Sequence, residues 1–108
     1  MHKPLIGAHI SIAGSLAASI ERALSIGCTT MQIFSKSNRS WFDKPIHPDE
    51  ATLFKNALAA SGLQQPTIHC SYLVNIGSSD VSVENNSVKS LALELARAEL
   101  LNIPYLVL

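Results

Sequence analysis

The feature that most restricts the folds open to this chain is an alternation of two kinds of segment. A short apolar run is followed by a stretch with helical spacing, three times over, and a fourth run closes the series. Residues 5–10 read as the first strand. From Leu16 the apolar positions Leu16, Ile20, Ala23 and Leu24 recur at helical spacing, with Glu21 and Arg22 opposite. Ser15 is placed to cap that helix, and Gly27 to end it in a left-handed conformation. Residues 30–34 form the second strand and residues 35–44 a polar loop. Pro48 suits a first helical turn, where Asp49 and Glu50 favour the positive dipole end; this helix buries Phe54, Ala57 and Leu58 and stops at Gly62. A β-branched run after Pro66 gives a third strand ending at His69. The spacing then predicts a helix over residues 83–101 with Val88, Leu91, Leu95 and Ala98 on its core face, and a strand over residues 103–108.

Strands separated by single helices imply parallel neighbours joined by right-handed crossovers. Parallel strands of this kind are expected to be buried on both faces. A complete βα barrel takes eight units, about 250 residues, whereas this chain has 108. The expected fold class is therefore α/β: parallel βα units of a TIM barrel, truncated after about three units plus a fourth strand. The alternative is an open doubly wound sheet, but neither Gly-rich phosphate loop is present to support it.

Composition bears on function mainly by exclusion. Formal net charge is zero, so any contact with nucleic acid must come from a local cluster. The two cysteines, Cys28 and Cys70, have neither metal-type spacing nor a disulfide framework, which suits a reducing compartment. The first four residues, Met1 to Pro4, carry no apolar signal core, and no segment is long enough to span a bilayer. The expected setting is cytoplasmic, with neither a membrane nor an obligate protein partner.

In parallel α/β folds the segments that follow each strand gather at one rim, where sites sit. That rule brings together His9, the loop with Lys36, Arg39 and Trp41, and the loop of Ser71, Tyr72, Leu73 and Asn75 that follows His69. Taken singly each has a plain explanation: a hydrogen-bonded core histidine, a solvated basic loop, an aromatic lid. Two histidines, an arginine-aromatic loop and a tyrosine loop converging on one rim favour a site.

These residues resemble the endonuclease IV family, the family 2 apurinic/apyrimidinic endonucleases. The resemblance lies in Gly7-Ala8-His9-Ile10-Ser11 with Ala13-Gly14, in Phe34-Ser35-Lys36 with Arg39 and Trp41, and in His69-x-Ser71-Tyr72-Leu73-Val74-Asn75, in order along the chain. It implies residues 1–108 as the incomplete N-terminal part of a single TIM-barrel domain. It also implies three zinc ions per complete enzyme, hydrolysis of the phosphodiester 5′ to abasic sites in duplex DNA, and removal of 3′ blocking groups. By the same resemblance His69 is a catalytic metal ligand, Tyr72 and Leu73 push into the base stack, and Arg39 enters from the minor groove, with Lys36 and Trp41 as further DNA contacts. His9, Ser71 and Asn75 lie near the site without an assigned role. Two positions depart from the family pattern. Ser40 stands where many members have a glutamine, which it is too short to replace in the groove, and Ser15 replaces the second glycine of a pair.

The remaining family ligands belong to later strands, the next in a His-Pro-Gly stretch just past the fourth strand. Two other readings stay open: a metal-dependent sugar isomerase or epimerase on a related barrel, and a non-catalytic DNA-binding remnant. An isomerase would be indifferent to replacement of Arg39 and Tyr72. Unpaired edges on the first and fourth strands are expected to promote self-association. A catalytic zinc site needs about three protein ligands, so this chain alone is expected to bind zinc weakly and to leave abasic DNA intact. Incision of an abasic oligonucleotide by a contamination-checked sample would contradict this.

Overall fold

A computed structural model describes residues 4–108; Met1 to Lys3, part of the stretch read above for a signal core, lie outside the described residues. The chain runs β1 (Gly7–His9), α1 (Leu16–Ser25), β2 (Thr30–Ile33), α2 (Pro48–Ser61), β3 (Thr67–His69), α3 (Val81–Leu100) and β4 (Tyr105–Val107). The strands form one sheet in the order β1-β2-β3-β4, every pair parallel. Sequential order with right-handed crossovers puts every helix on the same side of the sheet. A doubly wound sheet reverses direction and covers both sides, so the alternative architecture is excluded. Among the described residues no helix is long and apolar enough to cross a membrane.

Local chemistry sets the helix ends as the sequence suggests. Ser15 Oγ accepts the Ala18 N–H at 3.1 Å and so serves as the cap of α1, as its position suggests. A second free N–H of that end, from Leu16, is met by Glu50 Oε1 of α2 at 3.0 Å. Pro48 opens α2, and Gly62 closes it at φ 77°, in the left-handed region that favours glycine.

The core lies between the helices and one face of the sheet, built on Ile20 and Ala23 of α1, Met31 and Ile33 of β2, Phe54 of α2, Ile68 of β3, and Leu101 and Ile103. Two expectations need correction. β2 and β3 are covered on one face only: Met31, Ile33 and Ile68 are buried, whereas Thr30, Gln32, Thr67 and His69 are half-buried; all of β1 and Tyr105 and Val107 of β4 are exposed. With all helices on one side, period-2 alternation sends every second side chain to the face that no helix covers. The second correction concerns α3. Its buried residues are Ser87, Ser90, Glu94 and Ala98, while Val88 and Leu95 are 55% and 53% exposed. Ala98 is buried as expected and Leu91 half-buried, but Val88 and Leu95 turn outward because the rest of the inward stripe is polar and bonded.

At Gly7 there is no room for a side chain between β1 and β2: a Cβ there would lie 2.0 Å from the Thr30 carbonyl oxygen. Gly7→Ala must push the strands apart and is expected to destabilise the fold by about 1–3 kcal/mol. Urea unfolding checks this, and an unchanged midpoint would contradict the close approach.

Candidate DNA-reading and metal-ligand rim

β1, β2 and β3 run parallel, so their carboxyl ends deliver His9, Phe34 and His69 to one rim. Phe34 is the hub of this group. Its ring centroid lies 4.4 Å from that of His9 in a tilted arrangement and 5.7 Å from that of His69, edge-on. Sequence reasoning passed over Phe34 as a site residue. The signal open to it was the place of Phe34 immediately after β2, level with the residue that ends β3.

The two imidazoles have different proton placements. His69 Nδ1 lies 2.6 Å from the Cys70 carbonyl oxygen. A carbonyl only accepts, so Nδ1 carries the hydrogen and neutral His69 keeps its lone pair on Nε2. This is the arrangement found in metal-ligating histidines, whose second nitrogen is tied to an acceptor. His9 is the reverse: its Nδ1 sits 2.9 Å from Gln32 Nε2, an amide nitrogen that only donates. Nδ1 therefore accepts, and neutral His9 presents an N–H at Nε2. His69 is thus suited to hold a metal through Nε2, and His9 to donate a hydrogen bond. Among the described residues no group of three or more His, Cys, Asp or Glu side chains is arranged to hold a metal ion.

The two loops that follow β2 and β3 are joined to each other and to α3. Ser71, buried, donates through Oγ to the Asn38 carbonyl at 2.6 Å. Asn38 precedes Arg39 and Ser71 precedes Tyr72, so this bond holds the arginine and tyrosine segments side by side. Arg39 is exposed and Tyr72 is 68% exposed, while Leu73 and Trp41 are half-buried. Lys36 is placed differently from the expectation of a DNA contact. It is 4% exposed, and its Nζ donates to the Ser40 carbonyl at 2.5 Å, which braces the loop from within. Asn75 is exposed, and its side chain accepts the Gly77 N–H at 3.1 Å while its own N–H donates to Ser87 Oγ at 2.8 Å.

α3 completes the support. Ser90 Oγ donates to the Trp41 carbonyl at 2.9 Å. Ser35 donates to Glu94, which is 1% exposed, and receives Arg97 Nε on the same hydroxyl at 3.0 Å. Arg97 also donates to the carbonyls of Ser35 and of Lys44. Burial pulls the Arg97 guanidinium below its ordinary range, an effect that nearby Glu94 opposes. Burial, reinforced by Glu94, pushes the Cys70 thiol up to about 11, so Cys70 stays a packing residue behind the rim. The sequence held a signal for this ladder that an apolar-stripe reading overlooks: Ser87, Ser90, Glu94 and Arg97 recur at spacings of three and four.

Comparison with known proteins places these features in a family context. Residues 20–108 match the AP endonuclease 2 family model, described as Xylose isomerase-like TIM barrel. A "Probable endonuclease 4" of Methanosphaerula palustris is 45% identical over 102 residues, 94% of this chain and 36% of that protein. One of Methanoculleus marisnigri is 47% identical over 103 residues, 95% of this chain and again 36% of the relative. The crystal structure of endonuclease IV from Thermus thermophilus superposes with a TM-score of 0.89 at 42% identity, covering 95% of this chain and 39% of that one. The chain thus spans a little over a third of the length of the relatives it matches.

The stacking of His9 on Phe34 has a consequence in pH. Burial, with a smaller repulsion from His69, lowers the His9 pKa below its ordinary 6.5. Below pH 6.5 the unfolded chain takes up a proton at His9 that the folded chain resists, so stability falls as pH drops from there toward the folded pKa. NMR titration should show a His9 midpoint below 6.5 that recovers only part of the difference in His69→Asn, since burial is the larger cause. A midpoint at or above 6.5 would contradict the packing.

Proposed function

Because the chain belongs to the AP endonuclease 2 family of xylose isomerase-like TIM barrels, we propose that it is the DNA-reading and first metal-ligand part, residues 1–108, of a single barrel domain that repairs abasic DNA. The observation that carries this reading is the pairing, through the Ser71–Asn38 bond, of an exposed arginine with an exposed tyrosine beside His69. Wedges and arginines that distort a duplex recognise a missing base without reading sequence. Extruding an abasic sugar is cheap, since there is no base to unpair. In the proposed complex Tyr72 and Leu73 enter the stack beside the gap and Arg39 lies in the groove. Trp41 supports the Arg39 loop, and Lys36 contributes by bracing that loop instead of binding phosphate.

The reaction assigned to the complete domain is hydrolysis of the phosphodiester 5′ to the abasic site, with removal of 3′ blocking groups. Zinc, where bound, supplies charge neutralisation at the phosphate and a nucleophile at neutral pH. His69 fits one zinc ligand through Nε2, and the Cys70 carbonyl fixes its ring. His9, with its N–H at Nε2, is assigned a donor role toward substrate oxygen. The unbridged thiols of Cys28 and Cys70 agree with a cytoplasmic setting.

The family description also admits sugar isomerases on this barrel. An enzyme of that kind has no use for a tyrosine presented 68% exposed beside an arginine. The chain should bind a duplex with one abasic site more tightly than the same duplex intact, at a single fixed salt concentration. Tyr72→Ala should weaken abasic binding about tenfold, the scale of one lost base-aromatic contact, and leave intact-duplex binding unchanged. Equal affinity of the unmodified chain for the two duplexes would overturn the proposal.

A further inference from the structure

The loops that follow β2 and β3 belong to different βα units, yet they share more bonds with each other and with α3 than with their own strands. Ser71 Oγ reaches the Asn38 carbonyl at 2.6 Å. The same hydroxyl lies 3.3 Å from the Leu73 N–H, and Val74 N donates to the Ser71 carbonyl at 3.1 Å, so Ser71 also folds its own loop. Behind the pair, Ser90 holds Trp41, Ser87 receives the Asn75 N–H, and Ser35 is clamped between Glu94 and Arg97. Ser35, Ser71, Ser87 and Ser90 are all buried, so each bond is sheltered from competing water.

We propose that Ser71 is a positioning residue: its bond to Asn38, anchored on the polar stripe of α3, locks the Arg39 and Tyr72 segments into one rigid reader whose fixed spacing sets selectivity for a gap in the duplex. The selectivity part rests on the DNA-binding reading above; the locking part stands on the geometry alone. A reader that intercalates and fills a groove at once must hold its two arms at one separation before it meets DNA, since ordering them on binding would cost affinity. Neither arm can supply that spacing, because Arg39 and Tyr72 are both exposed. A small buried hydroxyl between them can.

The test uses the whole 108-residue chain. Native-state trypsin cleavage after Arg39 reports opening of the reader, and cleavage after Lys55 in α2 reports global unfolding. Ser71→Ala should speed the Arg39 cut about fivefold, the scale of one lost hydrogen bond, whereas Gly7→Ala, which strains the β1–β2 pair away from the loops, should speed the Lys55 cut and leave the Arg39 cut as it was. Ser90→Ala, which releases Trp41 from α3, should speed the Arg39 cut as Ser71→Ala does, so the inference does not depend on one variant folding. In the DNA arm, Ser71→Ala should lower the ratio of abasic to intact affinity and leave intact-duplex affinity and its salt dependence as they were. An Arg39 cut in Ser71→Ala no faster than in the unmodified chain, or one that Gly7→Ala speeds as much as it speeds the Lys55 cut, would overturn the lock. If the unmodified chain shows no abasic preference, the DNA reading fails while the protease arm still decides whether the two loops are joined.

Discussion

A buried carboxylate accepting from a serine hydroxyl is the constraint on which the upper half of this structure depends. Glu94 sits in the middle of α3, where an isolated charge would be costly, and Ser35 at the end of β2 gives it a partner. Arg97, one helical turn on, completes the cluster by donating to the same hydroxyl and to two loop carbonyls. Because the cluster needs α3 to turn its polar stripe inward, Val88 and Leu95 are left on the outer face. Ser87 and Ser90 on the same stripe then fall where the two rim loops pass, and both are bonded to them.

The division of labour follows from this arrangement. The sheet fixes direction: parallel strands carry His9, Phe34 and His69 to one end, and backbone or side-chain partners set which nitrogen of each imidazole holds its hydrogen. α3 fixes position by tying down loops that would otherwise be mobile segments over a small core. The exposed tips, Arg39 and Tyr72, are left free to meet a ligand. Buried polar bonds thus do the aligning, and surface side chains do the recognising.

Much of this was legible in the residues. The alternation of apolar runs gave the strand and helix order, and Ser15, Gly27, Pro48 and Gly62 marked the helix ends because their backbone preferences act locally. Parallel topology then placed His9, Arg39, Tyr72 and His69 on one rim without coordinates. Three things were hidden. Lys36 reads as a surface cation in any polar loop, and only the path of that loop turns its ammonium toward Ser40. Val88, Leu91 and Leu95 form as good a helical stripe as Ser87, Ser90 and Glu94, and periodicity alone cannot say which one faces the core. Phe34 looks like the last residue of an apolar strand, and its role between two imidazoles depends on the register of β2 against β3.

On this arrangement the rim loops are held by α3 as one body. Native-state hydrogen exchange in Glu94→Gln tests it most directly, since the change keeps shape but weakens the Ser35 clamp. Amides of both loops, those of Arg39 and Ser40 with those of Val74 and Asn75, should lose protection together while the β1–β2 ladder keeps its own. Loss confined to the Ser35 loop, or loss spread evenly over the whole chain, would contradict it.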